Sequence, residues 1–237
     1  MSSLKSPSEL RLLAIDTANQ RCSVAIGNAT ELIAHAEIAD GYRHAEMLTV
    51  LIQRTLTESG IQLNALDGIV LSAGPGSYTG LRIGASVAKG LCYGSNLPLL
   101  AIDTLEMMAR GYIAENGPIL SNQLLVPMID ARRDEVFTAV FNADYSQLQN
   151  SGALVLTADA FATFAGYELV FFGSGAPKYA ANFSGRGLGF EAEGYEHAKH
   201  LLGPGAVKLT LQQTENVAYF KPDYRKAFYT LAKNKLS

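Results

Sequence analysis

The stretch RLLAIDTANQRCSVAIGNATELIAHAEI, Arg11 to Ile38, decides the fold. It contains three apolar runs, residues 11–17, 22–27 and 31–38, joined by connectors as short as ANQR and NAT. Connectors of that length can turn a strand back on itself but cannot cross over to a parallel neighbour. The three runs are therefore predicted to pair as an antiparallel meander.

Beyond Ile38 the hydrophobic period lengthens. Met47, Leu48, Leu51, Ile52, Thr55 and Leu56 recur at three- and four-residue spacing, which predicts a helix over about 45–59, closed by Gly60. LDGIVLSAG then supplies a buried strand, a second helix is predicted from about Thr79 to Gly94, LPLLAID supplies another strand, and a third helix starts at Thr104. The order β-β-β-α-β-α-β-α belongs to the ribonuclease-H-like fold and to each lobe of the actin, Hsp70 and sugar-kinase superfamily. The expected class is thus a two-lobed α/β protein, with residues 1–105 as the first lobe and 106–237 as a smaller, degenerate second lobe. In the second half we expect strands at about 122–129, 134–142 and 168–173. Helices are expected near 158–165, 176–181 and 195–213, before a Pro-interrupted tail with a basic end.

The 237 residues suffice for two lobes of about 100 residues each. Charged residues make up 17%, below the roughly 25% of an ordinary soluble domain, which is consistent with a buried partner interface. A net charge of −3 gives no basic face for autonomous nucleic-acid binding. Cys22 and Cys92 lie in apolar surroundings without CxxC spacing and read as reduced core residues. The N-terminus lacks the pattern of a signal peptide, and no window approaches the ~20 apolar residues of a membrane span, so a cytoplasmic protein without membrane contact is expected.

Few residues offer chemistry. Asp16 and Thr17 end the first strand, where the actin-like superfamily presents an Asp and a polar hairpin to nucleotide phosphates. Asp16 and Asn19 can instead simply build the turn, since their side chains cap tight backbone bends. His197 and His200, three apart, lack an obvious carboxylate partner and read as helix-surface histidines; His44 reads as surface or interface. G-x-S-x-G, HExxH and a P-loop Lys-Ser/Thr pair are all absent from the sequence.

The segment LSAGPGSYTGLRIGASVAKG, Leu71 to Gly90, has the strand-glycine-helix outline of a phosphate cradle, but Gly80 is followed by Leu81 and Arg82 where a Walker loop has Lys-Ser/Thr. Ser77 or Thr79 can cap the helix. Gly80, Gly84 and Ala88 then repeat at four-residue steps. Each glycine costs a helix about 1 kcal/mol relative to alanine, so such a ridge needs a close neighbour to justify it. That neighbour is either another element of the same lobe or a helix of another chain, with Met47, Leu51 and Leu56 joining the same bundle.

LAIDTANQRCSVAI, HAEMLTVLIQRTL, GIVLSAGPGSYTGLRIGASVAKGL and LPLLAIDTLEMMA together resemble the TsaB (YeaZ) family over about residues 11 to 110, with GPGSYTGLRIG the most specific string. The ending PDYRKAF is similar to the family's Pro-x-Tyr-Leu-Arg/Lys motif, with Arg225 where leucine is usual. The resemblance implies a non-catalytic paralogue of the enzyme TsaD, needed to make threonylcarbamoyladenosine at position 37 of tRNAs that read ANN codons. It places Thr104 and Met108 where the enzyme's metal-binding histidines stand, which implies no metal here. It also implies that Met47, Leu48, Leu51, Leu56, Thr79, Gly80, Arg82, Ile83, Gly84, Val87 and Ala88 form a helix bundle with TsaD, or with a second copy when the chain is alone. The ATPase TsaE is implied as a further partner, ATP or ADP only at a complex interface, and tRNA only through the complex. The contrasting reading is an autonomous kinase of the actin-like superfamily, or a glycoprotease-type peptidase, with Asp16 at its centre.

Overall fold

β1 (Leu12–Asp16) and β2 (Cys22–Gly27) are buried along their whole length because both faces of their sheet are covered. The computed structural model describes residues 5–39, 43–182, 190–191 and 195–225. β1 and β2 pair antiparallel, as do β2 and β3 (Leu32–Ile38), so the meander predicted from the short connectors is present. α1 (His44–Ser59) ends at Gly60, whose left-handed φ of 66° stops the helix. β4 (Gly68–Ser72) returns parallel to β1, α2 (Tyr78–Ser95) crosses over, and β5 (Leu99–Ile102) adds parallel to β4. The sheet order is β3-β2-β1-β4-β5.

α3 (Thr104–Asn116) carries the chain to a second sheet, and Asp103 caps it by accepting hydrogen bonds from Leu105 N and Glu106 N. β6 (Gln123–Asp130), β7 (Glu135–Phe141) and β8 (Gln147–Val155) form another antiparallel meander. β9 (Glu168–Phe172) joins parallel to β6, α4 (Ala176–Asn182) follows, and β10 (Phe190–Glu191) pairs parallel with β9. The second sheet, β10-β9-β6-β7-β8, repeats the strand order of the first. Two copies of one topology in a chain are the two-lobed ribonuclease-H-like architecture of the actin superfamily.

Two expected elements change, and β8 appears where none was expected. The helix expected near 158–165 is a run of turns with a 3₁₀ segment at Ala162–Phe164. β8 is an edge strand whose exposed residues Gln147, Leu148 and Asn150 blurred its alternation. The helical stretch expected over 195–213 is a 3₁₀ turn, Ala198–Leu201, followed by α5 (Leu202–Thr210). This last segment also crosses the boundary drawn at residue 105. Ala198, Leu201, Leu202 and Ala206 pack with Leu12, Ala14, Ala25 and Val70 against the first sheet. Gly205 makes this approach close: a Cβ there would stand 3.0 Å from Val70 Cβ. α1 and α2 cover the opposite face over Leu13, Ile15, Val24 and Leu71.

Both cysteines are buried and free. Burial pushes each thiol up to about 12, with the Asp16 carboxylate adding to the effect at Cys22. Against an ordinary thiol near 9.0 this leaves about a thousandfold less thiolate at neutral pH. The native protein is expected to resist a chromogenic disulfide reagent for hours and to release two thiols per chain once unfolded; rapid native labelling would contradict the burial.

Candidate partner-docking surface

The end of β1 is where this fold can open a phosphate-binding hairpin, and here it is closed. Asp16 and Thr17 are 0% and 2% exposed. Asp16 Oδ1 accepts hydrogen bonds from Ser72 Oγ (2.5 Å) and Ala18 N (3.1 Å), while Oδ2 is buried without one. Burial pushes this carboxyl above the ordinary range, against those two bonds and the nearby His197 and His44. A carboxyl with no exposed atom, one oxygen of which is already committed to Ser72 and Ala18, is poorly placed to hold hydrated magnesium. Thr17 Oγ1 donates to Gly80 O at 2.8 Å. The hairpin is sealed by the Gly-Pro-Gly turn, where Ser77 N donates to Ala18 O at 2.6 Å and a Cβ on Gly76 would collide with Ala18 O. Asp16 and Thr17 are thus buried at the hairpin, and Asp16 builds the turn through Ala18 N.

Ser77 caps α2, its Oγ accepting from Gly80 N at 3.3 Å. The ridge of Gly80, Gly84 and Ala88 faces inward, and this is the main correction. All three are buried, and a Cβ on Gly80 would meet Thr17 O while one on Gly84 would meet Thr17 Oγ1. Their smallness lets α2 lie against the end of β1, so the neighbour that the spacing demanded is the chain's own strand. Leu48 and Leu51 likewise belong to the core under α1, and Leu56 packs against that core. Thr79 and Arg82 are exposed, while Met47, Ile83 and Val87 are half-buried at the edge.

What α2 presents outward is a different row. Thr79, Arg82, Ser86, Gly90, Tyr93 and Gly94 are exposed at three- and four-residue steps, and an added Cβ at Gly90 or Gly94 would meet nothing within 4 Å. Tyr93 is 87% exposed, and on α1 Val50 is 52% exposed. The sequence carried this second row of small residues, but periodicity alone did not say which row faced out.

The chain's own C-terminal segment borders this surface. Lys89 Nζ donates to Ala218 O and Phe220 O, and the Tyr224 ring packs at a tilt on Tyr78 with ring centroids 4.6 Å apart. Arg225, at the family's leucine position, spans the two lobes: its guanidinium reaches Ser151 O (2.6 Å), Asp103 Oδ2 (3.2 Å) and Asp223 Oδ2 (2.7 Å). Asp103, Asp223 and Arg225 line a cleft of about 520 Å³. The rest of the PDYRKAF ending lies outside the described residues.

Thr104 and Met108 are buried on the first turns of α3, Thr104 Oγ1 without a hydrogen bond and Met108 packed among Leu105, Leu125 and Phe172. The histidines depart from their surface reading. His44 is 4% exposed, and the His200 side chain is 7% exposed, its ionisation pushed down to about 4 by burial. His197 packs edge-on to the His200 ring, with centroids 5.9 Å apart, and its Nδ1 joins His35 and Glu37 in a grouping that was not predicted from the sequence. Among the described residues, no helix is long and apolar enough to cross a membrane.

Comparison with known proteins gives a family. A family model described as "TsaD: tRNA N6-adenosine threonylcarbamoyltransferase" matches residues 36–219. "tRNA threonylcarbamoyladenosine biosynthesis protein TsaB" of Escherichia coli is 38% identical over 57% of this chain and 56% of that protein. Its Haemophilus influenzae counterpart is 38% identical over 54% of this chain and 52% of that protein. The chain thus spans about half the length of the curated relatives it matches. The solved structure of YeaZ from Pseudomonas aeruginosa aligns with a TM-score of 0.78 and 25% identity, over 91% of this chain and 99% of that one.

Proposed function

The chain belongs to the family described as TsaD, tRNA N6-adenosine threonylcarbamoyltransferase, as a TsaB/YeaZ member, and from that premise we propose that it is an accessory subunit in the synthesis of tRNA threonylcarbamoyladenosine. It docks on a TsaD catalytic chain and organises it for threonylcarbamoyl transfer to adenosine 37, without turnover of its own. The observation that carries this reading is the sealed end of β1. Asp16 is fully buried behind Thr17, Gly76 and Gly80, so the place where the superfamily presents an Asp to nucleotide phosphates is taken up by packing.

The outward row of α2, from Thr79 through Ser86 and Gly90 to Gly94, is the docking face. Small exposed residues let a partner helix approach to the lower end of the 8–10 Å interaxial range. The same face serves a second copy when the chain is alone. TsaE and tRNA join through the complex, nucleotide binds only at that assembled interface, and the assembly is cytoplasmic.

The test mixes the purified chain with TsaD at fixed stoichiometry and follows mass by light scattering together with transfer to tRNA. A species of summed mass, and transfer that requires both chains, are expected. No mass change and equal transfer by TsaD alone would refute the reading. The autonomous kinase reading predicts ATP turnover by the isolated chain that Asp16→Ala abolishes, and the burial of Asp16 argues against it.

A further inference from the structure

β3 is the edge strand of the first sheet, and its alternation sets up a second feature. Ala34 and Ala36 are buried, Ala36 in the core beneath α1, while His35 and Glu37 project from the opposite face. Against that face the chain returns after 160 residues. Ala198 N donates to Ser23 Oγ at 2.8 Å, which fixes the turn, and His197, extended at φ −135° and ψ 134°, points at the strand. His197 Nδ1 stands 3.0 Å and His35 Nε2 3.2 Å from the same oxygen, Glu37 Oε2. The three donor atoms lie within 4.8 Å of one another.

A hydrogen-bonded cluster explains only half of this arrangement. His197 and Glu37 are hydrogen bonded, but His35 Nε2 is buried and makes no hydrogen bond, although it lies 3.2 Å from the carboxylate. A metal ion would satisfy all three. Ligands at the 2.0–2.2 Å bond lengths of tetrahedral zinc stand about 3.3 Å apart, close to the spacing of both nitrogens from Glu37 Oε2. Two imidazoles and one carboxylate suit borderline divalent ions. The other carboxylate oxygen, Oε1, is already held by Arg21, which orients Oε2 toward the histidines.

Neighbouring charges do not occupy the place. Lys199 is paired with Glu115, and Asp16 Oδ1 is bonded to Ser72 and Ala18. Arg21 opposes a cation but contacts only the far oxygen. The Glu37 side chain is 29% exposed, so the group lies at the protein surface although His35 Nε2 itself is buried.

We propose that His35, Glu37 and His197 bind one divalent ion of the zinc class through Nε2, Oε2 and Nδ1, with solvent completing the shell. The ion pins the returning 196–198 turn to the edge of the first sheet. It would act structurally, because binding to the folded chain alone stabilises it and the ligands come from distant parts of the sequence.

The test uses the full chain without added histidines, stripped by chelator and titrated with Zn²⁺ alone against a chromophoric competitor. One ion per chain is expected, with binding weakened more than tenfold by His35→Ala, Glu37→Gln or His197→Ala, and unaffected by His200→Asn. Zn²⁺ should raise the thermal midpoint of the native chain but not of His197→Asn, a variant that keeps a side-chain hydrogen-bonding group. Circular dichroism of the stripped proteins identifies any variant that fails to fold. Two results would overturn the proposal: a native chain that takes up no Zn²⁺, or a folded His197→Asn that binds it as tightly as the native chain.

Discussion

Gly84→Leu is expected to destabilise the protein by about 3 kcal/mol or more, at the upper end of what overpacking a core costs. That is a large share of the roughly 5–15 kcal/mol by which such domains are stable. A Cβ at Gly84 would lie 2.3 Å from Thr17 Oγ1, and that hydroxyl is itself committed to Gly80 O at 2.8 Å. Both residues are buried, so the new side chain has no exit. If α2 moved away instead, Ala85, Ala88 and Cys92 would be withdrawn from the core over β1 and β4.

The smaller change Gly84→Ala separates strain from helix propensity. Alanine would favour the helix by about 1 kcal/mol, yet its methyl displaces the Thr17 hydroxyl, so net destabilisation is expected. Removing that hydroxyl should relieve the clash, because Thr17 Cβ would be 3.5 Å from the new methyl, an ordinary contact. Gly84→Ala should therefore cost less in a Thr17→Ala background than in the parent, a non-additivity read from denaturant midpoints. Additive effects, or a neutral Gly84→Ala, would mean that the inward ridge does not pack as described.

The same helix shows what the sequence carried and what it withheld. The first lobe was readable because strand alternation, three- and four-residue apolar spacing and short connectors agree with one another from Arg11 to Ile102. α2, however, has two rows of small residues: Gly80, Gly84 and Ala88 on one side, Ser86, Gly90 and Gly94 on the other. Four-residue spacing identifies a ridge without saying which way it faces. The discriminating signal was the company each row keeps, since Leu81, Ala85 and Cys92 share the inner side while Arg82, Ser86 and Tyr93 share the outer.

β8 escaped detection because an edge strand with Gln147, Gln149 and Asn150 in its first turns of alternation carries little apolar periodicity. At the His35, Glu37 and His197 group, the two-residue step on β3 was visible. The arrival of His197 was not, because nothing local encodes a contact across 160 residues. At Asp16 the turn-building reading holds, since Oδ1 accepts from Ala18 N, but the sealing of the hairpin was not legible because it depends on Gly76 and Gly80, tens of residues downstream.

Gly90→Leu is expected to leave the fold intact and to weaken docking severely. Nothing lies within 4 Å of a Cβ at Gly90, so the leucine extends into open space. Replacing a mid-helix glycine should even raise stability, by up to about 1 kcal/mol. At a helix-to-helix interface the same side chain forces the partner outward and disrupts packing over the exposed row. Central interface positions of this kind cost at least ~2 kcal/mol, so binding to TsaD should weaken by about thirtyfold or more. Transfer to tRNA in the reconstituted mixture should fall with it. Gly166→Leu serves as the control, because Gly166 is exposed on the second lobe with equally open surroundings, and it should change neither binding nor transfer. The decisive readout is the pair of measurements on Gly90→Leu: an unfolding midpoint at or above that of the parent, with the TsaD complex lost from light scattering. A variant that still binds TsaD like the parent would remove the outward row of α2 from the interface.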